Sequence, residues 1–165
     1  MIAEPMGSEF RFEKRRVAAV VTLVGGESVH GSFFTAAADT RRDGGECIGD
    51  LLNADTGFFP FELDAPPAPH AVIFNRAHVI TVGLFDDGEA RRNAGYAVAK
   101  RDMVSILLSN GHRLQGTVRI YQPQGHDRLS DWTRQAEVFR YLETADGTII
   151  INAAHIVAIT EAPGP

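Results

Sequence analysis

Cysteine is almost absent from this chain, and so are several features that would assign it to a class of protein. Cys47 is the only cysteine among 165 residues, so no disulfide can form within the chain and nothing indicates an oxidising compartment. The longest apolar runs, such as 17–21, are far shorter than the roughly 20 residues of a membrane helix. The first six residues lack the basic segment and apolar core of a secretory signal. These absences predict a cytoplasmic protein without membrane insertion.

Signatures of catalysis are also missing from the sequence. It contains no phosphate-binding loop, no Gly-x-Ser-x-Gly elbow, no His-Glu-x-x-His, no paired cysteines and no dinucleotide fingerprint. We therefore predict that the protein is not an enzyme, with no catalytic residues, no cofactor and no metal.

An excess of basic charge is lacking as well. The net charge is −5, with 7 basic and 11 acidic residues in 1–84 and 9 basic and 10 acidic residues in 85–165. Nucleic-acid binders usually carry a basic balance, because neutralising phosphates supplies most of their non-specific affinity. The charge disfavours a nucleic-acid partner, although a local basic patch remains compatible with it.

What the sequence does contain is an internal repeat. Three pairs of blocks align in the same order, with apolar residues and glycines in register: 21–33 with 106–118 (offset 85), 48–61 with 129–142 (offset 81), and 72–82 with 149–159 (offset 77). Residues related by these offsets are called matching positions below. The repeat predicts two tandem domains, at 10–84 and 99–161, joined by a polar linker at 85–98.

Local patterns in each copy are mostly those of β-structure. Val104, Ile106 and Leu108 alternate with polar residues as in a half-buried strand. Asn110-Gly111 is typical of a tight hairpin turn, and Gly25-Gly26 occupies the matching turn. Further strands are predicted at 29–35 and 114–120, and 148–159 is predicted as two short strands broken at 152–155.

The middle block of each copy predicts a short helical turn instead. In the second copy it runs over 130–135 with Ser130 as its cap, and in the first copy it lies at 50–53 after Gly49. The apolar residues of this block are expected to fold onto the sheet as a lid: Leu129, Trp132, Phe139 and Leu142.

The paired strands resemble those of the Sm and Sm-like proteins. That family's first motif has alternating apolar residues, a turn ending in glycine and a second glycine five residues later, and 104–118 fits it with Gly111 and Gly116. The resemblance implies two small, strongly bent Sm-like or SH3-like β-barrels, each with a helical turn in the middle. The fold class is therefore expected to be mainly β.

The second Sm motif is altered in this chain. The family places an Arg-Gly pair between two short strands, where this chain has Asn152-Ala153 and Asn75-Arg76. The aspartate and asparagine that complete the family's uridine pocket are replaced by Tyr-Gln-Pro-Gln after Ile120. The resemblance thus implies the barrel without the RNA pocket.

Several repeated polar residues are candidates for binding. His78 and His155 match each other, each three residues after an asparagine, and either bind a ligand or fix a tight turn by local hydrogen bonds. Asp50 and Asp131 also match. An aspartate in the first turn of a helix usually complements the helix dipole, and a catalytic role would require a neighbouring base in a cleft.

Basic and aromatic side chains complete the candidates. Two basic pairs, Arg15-Arg16 and Lys100-Arg101, precede the first strand of each copy and could contact phosphate or an acidic partner surface, although such pairs are usually solvated. With Arg76 they would support a nucleic-acid interface if all of them lay on one face. Phe33 and Phe34 are adjacent on a strand, so one ring must point away from its own core.

We predict from these patterns a non-catalytic binding or scaffolding module for protein–protein assembly, a protein partner or homo-oligomer being expected at the edges of the sheet. The alternative is an RNA-binding Sm-like protein. The sequence identifies neither the partner nor the oligomeric state.

Overall fold

One antiparallel sheet of ten strands dominates the computed structural model, which describes residues 14–37, 45–86, 88–92, 95–121, 125 and 128–163. The prediction of a mainly β fold is confirmed. The strands are β1 Lys14–Leu23, β2 Ser28–Ala36, β3 Phe58–Leu63, β4 His70–Asn75, β5 Val79–Leu84, β6 Lys100–Leu108, β7 Arg113–Ile120, β8 Phe139–Thr144, β9 Gly147–Asn152 and β10 Ile156–Glu161. Short helices are α1 Ile48–Asn53, α2 Gly88–Arg91 and α3 Leu129–Thr133, with 3₁₀ turns at Arg76–His78 and Ala153–His155.

The strand order divides the sheet into two similar halves. The order is β10-β6-β7-β8-β9-β5-β1-β2-β3-β4, so β5-β1-β2-β3-β4 forms the first half and β10-β6-β7-β8-β9 the second. The halves join where β5 pairs with β9. The sheet is not closed: β4 and β10 are its two ends, and within the described residues each pairs with a strand on one side only. We call these ends the β4 edge and the β10 edge.

Matching positions pair with matching partners in the two halves. Two examples from each half show this: Val21 with Val82 and Phe58 with Asn75 in the first, Ile106 with Ile159 and Phe139 with Asn152 in the second. Because a one-residue slip would turn every side chain to the other face, this agreement means that the matching side chains point in the same directions.

The hairpin chemistry read from the sequence is present in the structure. Val104, Ile106 and Leu108 are buried as their alternation predicts. Gly26 and Gly111 both have φ of 84°, which suits glycine at these turns. A side chain at Gly31 or Gly116 would lie only 2.0 or 2.5 Å from the carbonyl oxygen of the neighbouring strand, so these glycines permit the close approach of adjacent strands.

The helical turns begin earlier than predicted and are capped differently. The capping position before α3 is occupied by Arg128, not by Ser130. The Asp131 carboxylate accepts a hydrogen bond of 3.0 Å from the backbone N–H of Arg128. Asp50 accepts from the N–H of Cys47 at 3.2 Å in the same way before α1. A carboxylate in the third helical position can reach back to this orphan donor, which makes a serine cap unnecessary.

The expected lid is only half correct, because Phe139 and Leu142 lie on strand β8 rather than over the sheet. The sequence patterns did not predict strands β3 and β8. In β3 the exposed positions Phe58 and Pro60 are as apolar as the buried ones, and in β8 the buried Arg140 interrupts the apolar pattern.

The segment 85–98, predicted as a polar linker, contains α2, on which Glu89 and Ala90 are buried. Positions 87, 93 and 94 of this segment, 10–13 and 38–44 of the predicted first domain, and 122–124, 126 and 127 of the predicted second domain lie outside the described residues.

Two apolar clusters form the core, and each half contributes to the cluster of the other. Phe139 and Ile150 of the second half pack in the first cluster with Phe33, Phe59 and Phe61. Ile80 of the first half packs in the second cluster, whose members include Val104, Trp132 and Leu142. The junction of the halves is therefore part of the core. In the described part of the chain, no helix has the length and apolar character needed to cross a membrane.

Candidate functional site

The contact between the halves, here called the central junction, is a strand pair with buried side chains on both sides. Its register places Thr81 opposite Ile151, Val82 opposite Ile150 and Gly83 opposite Ile149. Val82, Ile150 and Ile151 are fully or almost fully buried. Strand addition of this kind combines backbone hydrogen bonds with apolar contacts of alternate side chains.

Asn152 and His155 strengthen the central junction with hydrogen bonds to the other half. The Asn152 Nδ2 donates to the carbonyl oxygens of Arg76 at 3.3 Å and Val79 at 2.9 Å, and its Oδ1 accepts from the N–H of Ala154 at 3.0 Å. His155 Nε2 lies 2.7 Å from the carbonyl oxygen of Ala77. Since a carbonyl only accepts, this nitrogen carries the proton. Asn152 fixes its turn as predicted, and Asn152 and His155 also bridge the two halves.

Two further polar contacts cross the central junction. Asn53 of α1 exchanges two hydrogen bonds of 2.9 Å with the backbone of Phe139. The Glu89 carboxylate of α2 accepts from the backbone N–H groups of Ile48 and Gly49 and, at 2.9 Å, from the Tyr141 hydroxyl. Burial raises the pKa of Glu89 despite these hydrogen bonds, and burial together with Glu89 raises the pKa of Tyr141.

The two edges of the sheet expose apolar side chains whose matching positions are buried at the central junction. Phe58, on β3 next to the β4 edge, is 65% exposed, and Ile73, on β4 itself, is 64% exposed. Val157, on the β10 edge, is 63% exposed. The corresponding values are 4% for Phe139, 0% for Ile150 and 0% for Ile80. The same residue types in the same register are thus covered at the central junction and open at the edges.

Both β5 and β10 carry a β-bulge at their second residue. The register of β5 against β1 shifts between Thr22 and Leu23, which leaves Ile80 as the extra residue, and β10 against β6 shifts so that Val157 is the extra residue. A bulge redirects a side chain. Ile80 is directed into the cluster of the second half, whereas Val157 is exposed.

The first-half pair Asn75 and His78 lies beside the β4 edge. Asn75 Oδ1 accepts from the N–H of Ala77 at 3.0 Å, just as Asn152 does from Ala154. His78 is exposed at the end of its 3₁₀ turn. These two side chains match the pair that bridges the central junction, but they face no second half.

The candidate basic residues do not share one face. Arg76 is buried, and its guanidinium donates to the carbonyl oxygens of Leu51, Leu52 and Phe58. The exposed pairs Arg15-Arg16 and Lys100-Arg101 begin β1 and β6, which are separated by β5, β9, β8 and β7 in the sheet. Arg16 pairs with Glu62 at 3.3 Å and Lys100 with Asp102 at 3.5 Å.

Phe33 lies in the core rather than on a binding surface. Its ring is fully buried, stacked on Phe59 at 5.4 Å between centroids and edge-on to Phe61 at 5.1 Å. Trp132 is buried under the guanidinium of Arg140, which also donates to the carbonyl oxygens of Trp132, Thr133 and Gln135. These rings stabilise the fold.

A cleft of about 1130 Å³ lies beside α1, α2 and α3. Its lining includes Arg119, which donates to Glu143 at 2.8 Å and lies over the ring of Tyr96, while the Tyr96 hydroxyl also donates to Glu143. Burial raises the pKa of Glu143, but the hydrogen bonds from Arg119 and Tyr96 outweigh it, and the net shift is downward. These three side chains are hydrogen-bonded and packed to one another, and their network holds residues 95–98 against the second half.

The structure also shows where residues that could act as nucleophiles or as metal ligands lie. Ser109 Oγ lies 2.8 Å from His155 Nδ1, a distance suited to a nucleophile and base, but neither residue lines the cleft. Among the described residues, no group of three or more His, Cys, Asp or Glu side chains is arranged to hold a metal. Buried Cys47 has a raised pKa, first through burial and then through Glu89, which disfavours a reactive thiolate.

Sequence reasoning missed Glu89, Asn53, Ile73 and Val157. The last two carried a signal, because each stands at a matching position within the repeat, but the sequence does not show which copy is covered. No family model matches this chain, and searches of curated proteins and of solved structures find no match either.

Proposed function

We propose that the chain is a tandem Sm-like protein, with small bent barrels in 10–84 and 99–161, that acts as a non-catalytic scaffolding module for protein–protein assembly. Its contact surfaces are the β4 edge and the β10 edge. The observation that carries the proposal is the exposure of Phe58, Ile73 and Val157, whose matching residues are buried under a neighbouring strand within the same chain.

Edge strands explain why such a module binds proteins. Backbone groups on the open side of an edge strand can pair with an added strand, which supplies affinity, while alternate side chains supply specificity. Covering a large apolar side chain contributes about 1.5–3 kcal/mol when burial is complete. Ile73 and Val157 offer such contacts on the β4 and β10 edges.

The support for a non-catalytic role comes from the partners of the repeated polar residues. Asp50 and Asp131 accept from the backbone at the starts of α1 and α3. His155 bridges to the carbonyl oxygen of Ala77 across the central junction. These side chains hold local structure, and the network of Arg119 and Glu143 does the same inside the cleft.

The proposal is tested by isolating the tagged chain from the cells in which it occurs, at low salt, with absorbance read for both protein and nucleic acid. The unchanged chain is compared with an Ile73→Lys, Val157→Lys variant and with a Val98→Lys control, since Val98 is 87% exposed and lies on neither edge strand. A lysine charge on an edge opposes strand addition.

We expect the unchanged chain and the control to elute in the same protein assembly, free of nucleic acid, and the edge variant to lose it. Equal retention by the edge variant and the control would contradict the proposal. Nucleic acid that co-elutes and is released by salt would support the RNA-binding alternative instead.

A further inference from the structure

We infer that Ser109 is a nucleophile activated by His155, and that its hydroxyl accepts acyl groups from activated esters, either aryl esters or thioesters. The pair lies at the turn between β6 and β7, beside the start of β10. The reactivity involves no strand addition, so the inference does not depend on the proposed function.

Ser109, His155 and the backbone of Ala77 form a relay of two hydrogen bonds. Ser109 Oγ lies 2.8 Å from His155 Nδ1, and His155 Nε2 lies 2.7 Å from the carbonyl oxygen of Ala77. A carbonyl oxygen only accepts, so Nε2 carries the proton of the neutral ring, and Nδ1 accepts from the Ser109 hydroxyl. A nucleophile bonded to a base that a third group orients is the arrangement that activates serine for acyl transfer.

The central junction supplies the third group of this relay. Ala77 belongs to the first half, whereas Ser109 and His155 belong to the second, so the carbonyl meets the ring only because β5 lies beside β9. The ring of His78, at the position that matches His155, forms no hydrogen bond within the described part of the chain. The two histidines thus differ in whether a group of the other half orients the ring.

The turn itself does not require Ser109. The backbone N–H of Ser109 donates to the carbonyl oxygen of His155 at 2.8 Å. The N–H of Val24, at the matching position, donates to the carbonyl oxygen of His78 at 2.9 Å. Because the same backbone bond forms with valine, the hydroxyl of Ser109 is not needed for the geometry of the turn.

The surroundings of Ser109 determine which acyl donors it takes. Ser109 is exposed, and neither it nor His155 lines the cleft beside the helices. A serine outside a cleft takes donors by their reactivity rather than by their shape, which favours esters with a good leaving group. The N–H of Asn110, the residue after the nucleophile, donates to no other described residue and is available to the oxyanion of the attacked carbonyl.

The transfer balances without any further reactant. Ser109 Oγ attacks the carbonyl carbon of the donor while its proton passes to His155 Nδ1, and a tetrahedral oxyanion forms. The bond from that carbon to the aryl oxygen or thioester sulfur then breaks, and the leaving group keeps the electron pair and takes the proton from the imidazolium. The products are an ester of Ser109, a free phenol or thiol, and neutral His155.

The acylated form of Ser109 is expected to persist. An alkoxide is a much poorer leaving group than an aryl oxide or a thiolate, because its conjugate acid is far weaker. The ester of Ser109 is therefore less reactive than the donor that formed it. Each chain then accepts one acyl group instead of turning over, in agreement with the non-catalytic role proposed above.

Acetylation of the purified full chain by para-nitrophenyl acetate tests the inference. Release of nitrophenolate is followed by absorbance, and peptide mass spectrometry locates the acetyl groups before and after alkaline hydroxylamine, which cleaves a serine ester but not a lysine amide. Ser28 is an internal control, because it is also exposed but its hydroxyl bonds to that of Thr22 at 2.9 Å instead of to a histidine.

We expect a single rapid release of nitrophenolate per chain, with the acetyl ester on Ser109 and not on Ser28. Ser109→Val should abolish this burst, and His155→Gln should slow it by about a hundred-fold or more, the lower range of what a general base contributes. Acetylation of Ser109 no faster than that of Ser28, or a burst that survives Ser109→Val, would overturn the inference. Repeated turnover without an accumulated ester would overturn the single transfer.

A chain with the two matching residues exchanged, Val24→Ser with Ser109→Val, separates activation from mere exposure. It places serine beside His78 in the same backbone register, without the carbonyl that orients the ring of His155. We expect it to unfold at the same urea concentration as the unchanged chain and to show no burst. An equal burst would overturn the role of the central junction in activation. Because His155 is kept, this comparison holds even where His155→Gln disturbs the junction.

Discussion

The central junction and the two edges of the sheet are built from matching strands, yet only the junction is covered. Ile150 faces Val82 in the core, whereas Ile73, at the matching position, is 64% exposed. Asn152 binds two carbonyl oxygens of the other half, while the hydrogen bond that Asn75 makes within the described residues lies in its own turn. The role of such a residue therefore depends on whether a second strand lies beside it.

The largest difference is expected between two matching isoleucines. Ile150→Ala should lower the free energy of unfolding by about 2–5 kcal/mol, because it leaves a cavity in the core. Ile73→Ala should change it by less than about 0.5 kcal/mol in dilute solution, because its side chain lies at the surface. Urea unfolding of both variants at low concentration measures this contrast, and equal losses of stability would contradict it.

A smaller difference is expected between the two asparagines. Asn152→Ala should cost about 1–3 kcal/mol, since it leaves buried carbonyl oxygens without their donor. Asn75→Ala should cost about 1 kcal/mol, the value of a lost cap. Thermal or urea unfolding of the two variants gives the comparison. If Asn75→Ala proved the more harmful, the asparagine bridge would not stabilise the junction.

Glu143 provides a pH-dependent test of the network beside the junction. Its pKa is lowered in the folded state by Arg119 and Tyr96, against the opposing effect of burial. Its contribution to stability is therefore present above the unfolded pKa and is lost as pH falls through the folded value. Glu143→Gln should remove this part of the acid destabilisation, as measured by unfolding at a series of acidic pH values. An unchanged acid profile would disprove the role of this ion pair.

Glu89 should show the opposite effect. Its pKa is raised, chiefly by burial, so its contribution is present below the unfolded pKa and is lost as pH rises through the folded value. Glu89→Gln should make the unfolding free energy less dependent on pH from the usual carboxyl range upward. Tyr141→Phe serves as the control, because it removes one partner of Glu89 and keeps the titrating group. A profile as steep as that of the unchanged chain would contradict this assignment.

Much of the fold follows from local patterns. The alternation around Ile106, the glycines at the hairpin turns and the break at 152–155 predict strands that the structure contains. The patterns fail where burial contradicts residue type. Arg140 is buried because its guanidinium satisfies helix carbonyl oxygens, and Phe58 is exposed despite being aromatic, so β8 and β3 were not recognised.

The candidate site was predictable only as a set of matching positions. His155 and Asn152 were identified from the repeat, but their contacts with the first half depend on β9 lying beside β5. Arg76 and Phe33 were chosen as binding residues because of their chemistry, whereas the structure places both in the interior. Glu89 gave no signal, because one carboxylate in a polar segment resembles any solvated charge.

The mainly β character, the hairpins and the absence of disulfides follow from the sequence alone, because they depend on side-chain periodicity, turn glycines and the number of cysteines. Which member of each matching pair is buried follows from the tertiary structure. That choice depends on which strands lie side by side, and contacts between residues such as Asn53 and Phe139, 86 positions apart, leave no local trace in the sequence.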